Sequence, residues 1–299
     1  VVARADGPAR GKVGLVSGGG SGHEPSHGGF VGHGMLDAAV AGAVFTSPTP
    51  DQVLAGVKAA DGGAGVLLII KNYTGDVMNF EMAAELAQAE GIDVASVVVD
   101  DDVAVENSTY TTGRRGIAGT VLVHKIAGAK AQAGGSLAEV KSVAEKVIAG
   151  VRTMGMAVSP SIVPAAGKPG FQLGENEVEI GTGIHGEPGT HREALRPAAE
   201  IATHLTRKVM DDLGLQAGDE VAVLINGLGA TPMMELMIIN KTVAEILHEA
   251  QVRTHRTIVG EYMTSLEMAG CSVSILRLDA ELKRLLDAPA ETAALRQGR

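Results

Sequence analysis

The chain has 299 residues, a formal net charge of −10 at pH 7, 45% hydrophobic residues, 40 glycines and only 2% aromatics. An acidic chain with no Lys/Arg block lacks the basic face of a nucleic-acid binder. A single cysteine, Cys271, excludes an intramolecular disulfide and a cysteine-based zinc site, and no apolar run reaches the length of a membrane span. These bounds point to a cytoplasmic α/β protein with a Val/Ala/Leu/Met core, long enough for two domains. No leader is legible, and an initiating Met is lacking, so an N-terminal segment is expected to be absent.

The elements alternate between strand and helix from the start. Lys12-Val13-Gly14-Leu15-Val16 reads as a buried strand. It runs into Ser17-Gly18-Gly19-Gly20-Ser21-Gly22-His23-Glu24-Pro25, read as a bare loop before a short helix from Pro25 to about Gly34. Glycines let a ligand approach the backbone, and the N–H groups of such a loop suit anions or polar oxygens. Leu36–Val44 is a second apolar stretch. Phe45–Asp51 is a rigid proline loop whose Pro50 opens a helix over Asp51–Ala60. Gly65–Lys71 is a continuous branched run, as in a parallel strand buried on both faces. It ends in Asn72-Tyr73-Thr74-Gly75-Asp76, before a helix over Val77–Ala89. Val94–Val99 is another strand, and Gly116–Ala133 and Leu137–Met154 read as helices. This pattern predicts a parallel sheet with helices on both faces, with ligands at the carboxyl ends of its strands.

Near Gly155 the strands become longer and more alternating: Met156–Val163, Val178–Ile184, Glu220–Asn226, Thr257–Tyr262 and Ser272–Leu278. Helices are expected over Glu193–Leu213, Pro232–Ala250 and Ala280–Asp287. The prediction is an N-terminal α/β domain over 1–154 and a closely packed α+β domain with a mixed sheet over 155–299.

Several motifs carry chemistry. His23-Glu24-Pro25-Ser26-His27 formally matches H-E-x-x-H, but Pro25 forces the residue before it out of helical geometry, so the two histidines cannot share one helix face as zinc would require. No Walker A sequence occurs, and the glycine run does not fit dinucleotide spacing, which leaves a small polar ligand. Lys71 and Asp76 flank a strand-end loop, where the carboxylate could act as a base or the pair could be a surface salt bridge. Asp100–Asp102 read as caps or solvated charge rather than a magnesium site. His185 stands between glycines in Gly183-Ile184-His185-Gly186-Glu187-Pro188-Gly189, accessible as an acid, base or nucleophile. This segment echoes Gly22-His23-Glu24-Pro25. Asn226–Pro232 is a further bare loop, with Thr231 placed to cap a helix, and Met233, Met234 and Met237 read as core. His27, His33, His124, His191, His204, His248 and His255 carry no discriminating context.

Seven blocks in family order resemble the substrate-binding (K) subunit of dihydroxyacetone kinase. They are Leu15–Pro25, Phe45–Pro50, Leu68–Asp76, Asp100–Val105, Pro164–Pro169, Gly183–Gly189 and Asn226–Pro232. The resemblance implies that the histidine at His185 attacks the substrate carbonyl and holds dihydroxyacetone as a covalent hemiaminal, excluding polyols such as glycerol. It implies that Gly20, Ser21, Gly22, His23, Lys71 and Asp76 bind the substrate, and that His23 and Asp76 handle the proton of the hydroxyl receiving the phosphoryl group. It implies no metal and no cofactor on this chain. Nucleotide and magnesium are expected on a nucleotide-binding L-type partner subunit, recharged through a phosphocarrier protein from phosphoenolpyruvate. The helical nucleotide domain that single-chain ATP-dependent members carry after this module is expected to be absent, so that this chain is a separate subunit, and a homodimer is expected.

Two alternatives accompany this reading. One is a ketone-binding co-regulator of a transcription factor, without turnover; His23 and Asp76 favour catalysis over it. The other is a kinase subunit for another short ketose such as erythrulose.

Overall fold

The computed structural model describes residues 1–106 and 111–298. In chain order the elements are β1 (Val2–Ala3), β2 (Gly14–Ser21), a 3₁₀ turn (Gly28–Phe30), β3 (Gly32–His33), β4 (Ala38–Val44), α1 (Pro50–Ala60), β5 (Val66–Lys71), α2 (Thr74–Ala89) and β6 (Val94–Val99). Then come α3 (Thr120–Gln132), α4 (Leu137–Gly150), β7 (Val151–Ala157), β8 (Ile162–Val163), β9 (Lys168–Pro169), β10 (Glu177–Ile180), β11 (His191–Ala194) and α5 (Ala198–Leu213). The chain closes with β12 (Glu220–Gly227), α6 (Met233–Glu249), β13 (Arg253–Gly260), β14 (Gly270–Arg277), α7 (Ala280–Asp287), β15 (Ala290–Thr292) and β16 (Arg296–Gln297).

Two compact units emerge, each made of more than one segment. The first comprises 1–100, 120–149 and 280–299, and the second 101–119 and 150–279. The sequence reading predicts a single cut after residue 154. The chain instead lends 101–119 to the second unit early and returns to the first for α7, which packs on α3. Such returns are set by tertiary pairing and leave no mark in local composition.

The first unit is built on a sheet ordered β1-β4-β2-β5-β6, parallel except for β1. Strand side chains alternate between faces. Val16, Val40, Leu68 and Ile70 therefore share a core with Val53 and Val57 of α1 and Phe80 and Ala83 of α2. Residues of the opposite parity, including Leu15, Ser17, Ile69 and Lys71, are buried on the other face, where α3 packs on β2 and β5. Helix α1 begins as predicted at Pro50, with Gln52 Oε1 accepting the Thr49 N–H at 3.0 Å.

The second unit holds a six-stranded mixed sheet ordered β11-β10-β7-β14-β12-β13, in which only β12 and β13 run parallel. Helices α5 and α6 cover it over a core that includes Val178, Leu205, Val223, Leu236 and Val273.

Four local expectations are corrected. The glycine run is not a loop: β2 continues through Gly18–Gly20 to Ser21, paired in parallel with β4. No α-helix follows Pro25, only the 3₁₀ turn and the short β3. Helix α4 stops at Gly150, and Met154 lies in β7, where it packs as a strand residue. Helix α5 starts after Pro197, and Glu193 lies in β11. Proline lacks the N–H that a continuing helix needs.

Candidate active site

In the first unit, the carboxyl ends of β2 and β5 hold the predicted substrate-binding residues. Strand alternation turns Ser17, Gly19 and Lys71 toward α3. The Lys71 ammonium is fully buried and lies back across β2, donating to Gly18 O at 2.8 Å. It forms an ion pair with Asp76 Oδ2 at 3.7 Å. Asp76 sits in the first turn of α2, where the helix N-terminus favours a carboxylate. This is not the surface salt bridge that the sequence also allowed. Burial lowers the Lys71 pKa, and the Asp76 charge partly restores it.

The glycines of β2 make room for the chain itself. A Cβ on Gly18 would strike Val40 O, and one on Gly19, whose φ is +151°, would strike Lys71 Nζ. Gly20 is buried against the Phe45–Thr46 backbone. Ser21 Oγ donates to Gly42 O at 2.7 Å, and the Gly22 N–H donates to the Glu24 carboxylate at 3.0 Å. His23 is buried, with its ring stacked on Phe45 at 5.0 Å and an interplanar angle of 16°. A cavity of about 190 Å³ is lined by Gly19, Gly20, Glu24, Ser26, His27 and Val40 among others, but not by His23, Lys71 or Asp76.

His27 and His124 complete this cluster, and sequence reasoning missed both. His27 Nε2 lies 2.9 Å from Lys71 Nζ, and its Nδ1 lies 2.9 Å from His124 Nε2 on α3. The only sequence signal was the failed H-E-x-x-H match. His124 stands 97 residues away from His27, and only the sheet–helix packing joins them. Both imidazoles are buried. Burial first, and then the Lys71 charge, lower His124 to about 3 and His27 well below its ordinary value, so both are neutral near pH 7.

In the second unit, His185 follows β10 with its side chain 17% exposed. Its Nδ1 is 3.0 Å from Glu187 Oε1, while its backbone N–H donates to Glu187 Oε2 at 2.9 Å. One buried carboxylate thus holds both the backbone and the ring of the same residue. Burial alone would raise the Glu187 pKa, but His185 and then Arg115 outweigh it and bring the acid to about 2. Arg115 is buried too, donating to Asp102 Oδ2 and, at 2.7 Å, to Gly181 O on the turn after β10. Glu187 and Arg115 were not predicted as functional; the carboxylate two residues after His185 in the quoted motif was the available signal.

The remaining candidates are structural. Asp101 accepts the N–H groups of Ile117 and Gly119, and Asp102 caps Ala104 N while pairing with Arg115. No three His, Cys, Asp or Glu side chains among the described residues are grouped to hold a metal ion. Thr231 does not cap α6 but exchanges hydrogen bonds with Gly270 across to β14. Asn226 ties β12 to the Tyr262–Met263 backbone. Met233, Met234 and Met237 are not core: they are 50%, 69% and 50% exposed along α6. No described helix is long and apolar enough to cross a membrane.

Residues 1–294 match the Dak1 domain. The chain is 61% identical over 295 residues to the "PTS-dependent dihydroxyacetone kinase 1, dihydroxyacetone-binding subunit DhaK" of Listeria innocua, covering 98% of this chain and 89% of that protein. It is 45% identical to the "PEP-dependent dihydroxyacetone kinase, dihydroxyacetone-binding subunit DhaK" of Escherichia coli, covering 100% and 90%. The solved "Dihydroxyacetone kinase operon co-activator Dha-DhaQ" superposes with a TM-score of 0.91 at 37% identity, over 96% of this chain and 89% of that one. With the domain match spanning nearly every residue and high identity over almost the whole chain, the chain belongs to the Dak1 domain family, that of the dihydroxyacetone kinase substrate-binding (K) subunits.

Proposed function

We propose that this chain is the dihydroxyacetone-binding subunit of a phosphoenolpyruvate-dependent dihydroxyacetone kinase, holding the ketone as a hemiaminal on His185. The observation that carries this reading is the His185–Glu187 pair. Nδ1–H donation to an ionised carboxylate puts the ring lone pair on Nε2. Nε2 adds to the carbonyl carbon, and the carbonyl π pair moves to oxygen, which takes up a proton. The positive charge arising on the ring faces Glu187, and loss of the Nδ1 proton leaves a neutral hemiaminal. A polyol without a carbonyl cannot form this bond. In the same proposal Asp76 takes the proton of the attacking hydroxyl, and His23, Lys71 and the Gly20–Gly22 backbone bind the substrate. Transfer to a positioned alkoxide needs mainly orientation and charge stabilisation.

The phosphoryl donor is proposed to sit with magnesium on an L-type partner subunit recharged by a phosphocarrier. Two acids of the Asp100–Asp102 run, Asp101 and Asp102, are already engaged by N–H groups and Arg115, which supports that placement. Pairing as a homodimer is supported by the exposed apolar run on α6, and its test is the mass in solution. The single buried thiol fits a reducing, cytoplasmic compartment.

Calorimetry of dihydroxyacetone binding to wild type and His185→Ala tests the reading, with borohydride trapping and intact mass as the covalent readout. Wild type is expected to bind and the variant to lose roughly 100-fold or more. Failure of folded wild type to bind any short ketose overturns the proposal. The likeness to the operon co-activator favours one second reading, a ketone sensor without turnover. Phosphorylation of dihydroxyacetone with partner subunits present excludes it, and erythrulose in the same assay identifies the preferred ketose.

A further inference from the structure

Lys71 has three N–H donors and no acceptor. Gly18 O takes one, Asp76 Oδ2 faces another, and His27 Nε2 stands at 2.9 Å as the third partner. An ammonium only donates, so His27 must present a lone pair at Nε2 and carry its proton on Nδ1. That proton then points at His124 Nε2, which lies 2.9 Å away with the rings edge to face. His124 in turn carries its proton on Nδ1. Ser17 does not compete as a donor to His27, because its hydroxyl donates to Ile69 O at 2.7 Å. The His124 Nδ1 is buried with no hydrogen-bond partner among the described residues. A leucine on α3 would fill this space without burying an unpartnered N–H. The imidazole supplies what leucine cannot: an acceptor that locks the tautomer of His27.

We propose that His27, backed by His124, is a positioning residue that holds the Lys71 ammonium beside Asp76 at the end of the glycine strand. Its consequence for ketone binding rests on the function proposed above; the hydrogen-bond relay itself does not. The groups facing this centre are Asp76 from α2, His27 from the turn after β2, and His124 from α3, with His23 acting on His27 at longer range. Both relay imidazoles stay neutral acceptors well below their ordinary pKa. Burial already lowers Lys71, so removing an acceptor lowers it further.

The first test uses the wild-type full chain with ¹⁵N-labelled histidine. Long-range ¹H–¹⁵N spectra at pH 7 are expected to show His27 and His124 as Nδ1–H tautomers. An Nε2–H tautomer at His27 overturns the proposal, and no variant has to fold for this result. The second test follows the Lys71 Nζ resonance with pH in wild type, His27→Leu and His27→Gln. His27→Leu is expected to titrate about one unit lower, while His27→Gln, whose amide oxygen accepts, returns toward wild type. Equal titration of wild type and His27→Leu overturns the proposal. In turnover with the partner subunits, KM for dihydroxyacetone is expected to rise about tenfold in His27→Leu, with kcat affected less. The alkaline limb of the pH profile should move acidward with Lys71, and His27→Gln should restore both. If wild type fails to bind ketone while the tautomers are as expected, the proposed function falls and the relay stands.

Discussion

Glu187 and its neighbour two residues back make the sharpest residue-scale prediction. The carboxylate grips the His185 backbone N–H and ring Nδ1 with separate oxygens. Glu187→Gln keeps a hydrogen-bonding side chain of the same shape but removes the charge facing the ring. Ketone capture, measured as kcat/KM with partner subunits, is expected to fall roughly 10- to 100-fold without loss of fold. Cys271 makes the opposite kind of prediction. Burial, then the charges of Glu261 and Glu235, push its thiol up to about 12. Native protein at pH 8 should react with a thiol reagent roughly 100-fold slower or more than unfolded protein. Rapid native labelling would show that the α6–β14 region opens.

At the scale of elements, the glycine strand shows what the glycines are for. Gly19 lies under the Lys71 ammonium, at a φ that L side chains rarely adopt. Gly19→Ala is expected to displace Lys71, abolish ketone binding and destabilise the chain by about 1–3 kcal/mol in urea unfolding. Unchanged binding would show that Lys71 is dispensable where it stands. The two echoing segments also gain a physical meaning here. Glu24 accepts the N–H of Gly22, and Glu187 accepts the N–H of His185, so each Glu-Pro carboxylate folds back onto the N–H two residues before it. In the first segment that residue is glycine, and the loop is simply closed. In the second it is His185 itself, and the other carboxylate oxygen reaches the ring.

At the scale of the whole molecule, the buried histidines of the first unit and the buried Asp101–Asp102 pair of the second carry opposite acid responses, and Glu187, held at about 2 in the second unit, opposes that pair only below pH 4.5. In the first, His27 and His124 have folded pKa values below their unfolded value of 6.5, His124 at about 3. The unfolded state binds more protons in that window, so stability is lost as pH falls from 6.5 toward 3. In the second, burial raises Asp102 to about 6 against the pull of Arg115 and raises Asp101. The folded state then binds more protons, so these acids add stability as pH falls from about 6 to 3.8. Hydrogen exchange corrected for intrinsic rate should show protection lost first in 1–100 and 120–149 between pH 6.5 and 4. Earlier loss in 150–279 would refute this assignment.

The sequence by itself determined the alternation of strands and helices, the limits of β6 and α7, the proline start of α1, and the family to which the glycine-flanked His185 motif points. These depend on local pattern: branched runs for buried strands, Pro at a helix start, and residues contiguous in one motif. Only the tertiary structure decided that β2 carries its glycines as a paired strand, because strand extent depends on β4 alongside it. It also decided that Met233, Met234 and Met237 face outward, since hydrophobic spacing on a helix does not say which apolar residues find a neighbour. The discontinuous units and the joining of Lys71, His27 and His124 likewise arise from packing between distant segments. A buried hydrogen-bond relay has no sequence period: its members are chosen by which side chains meet behind the sheet, and only the folded chain brings them together.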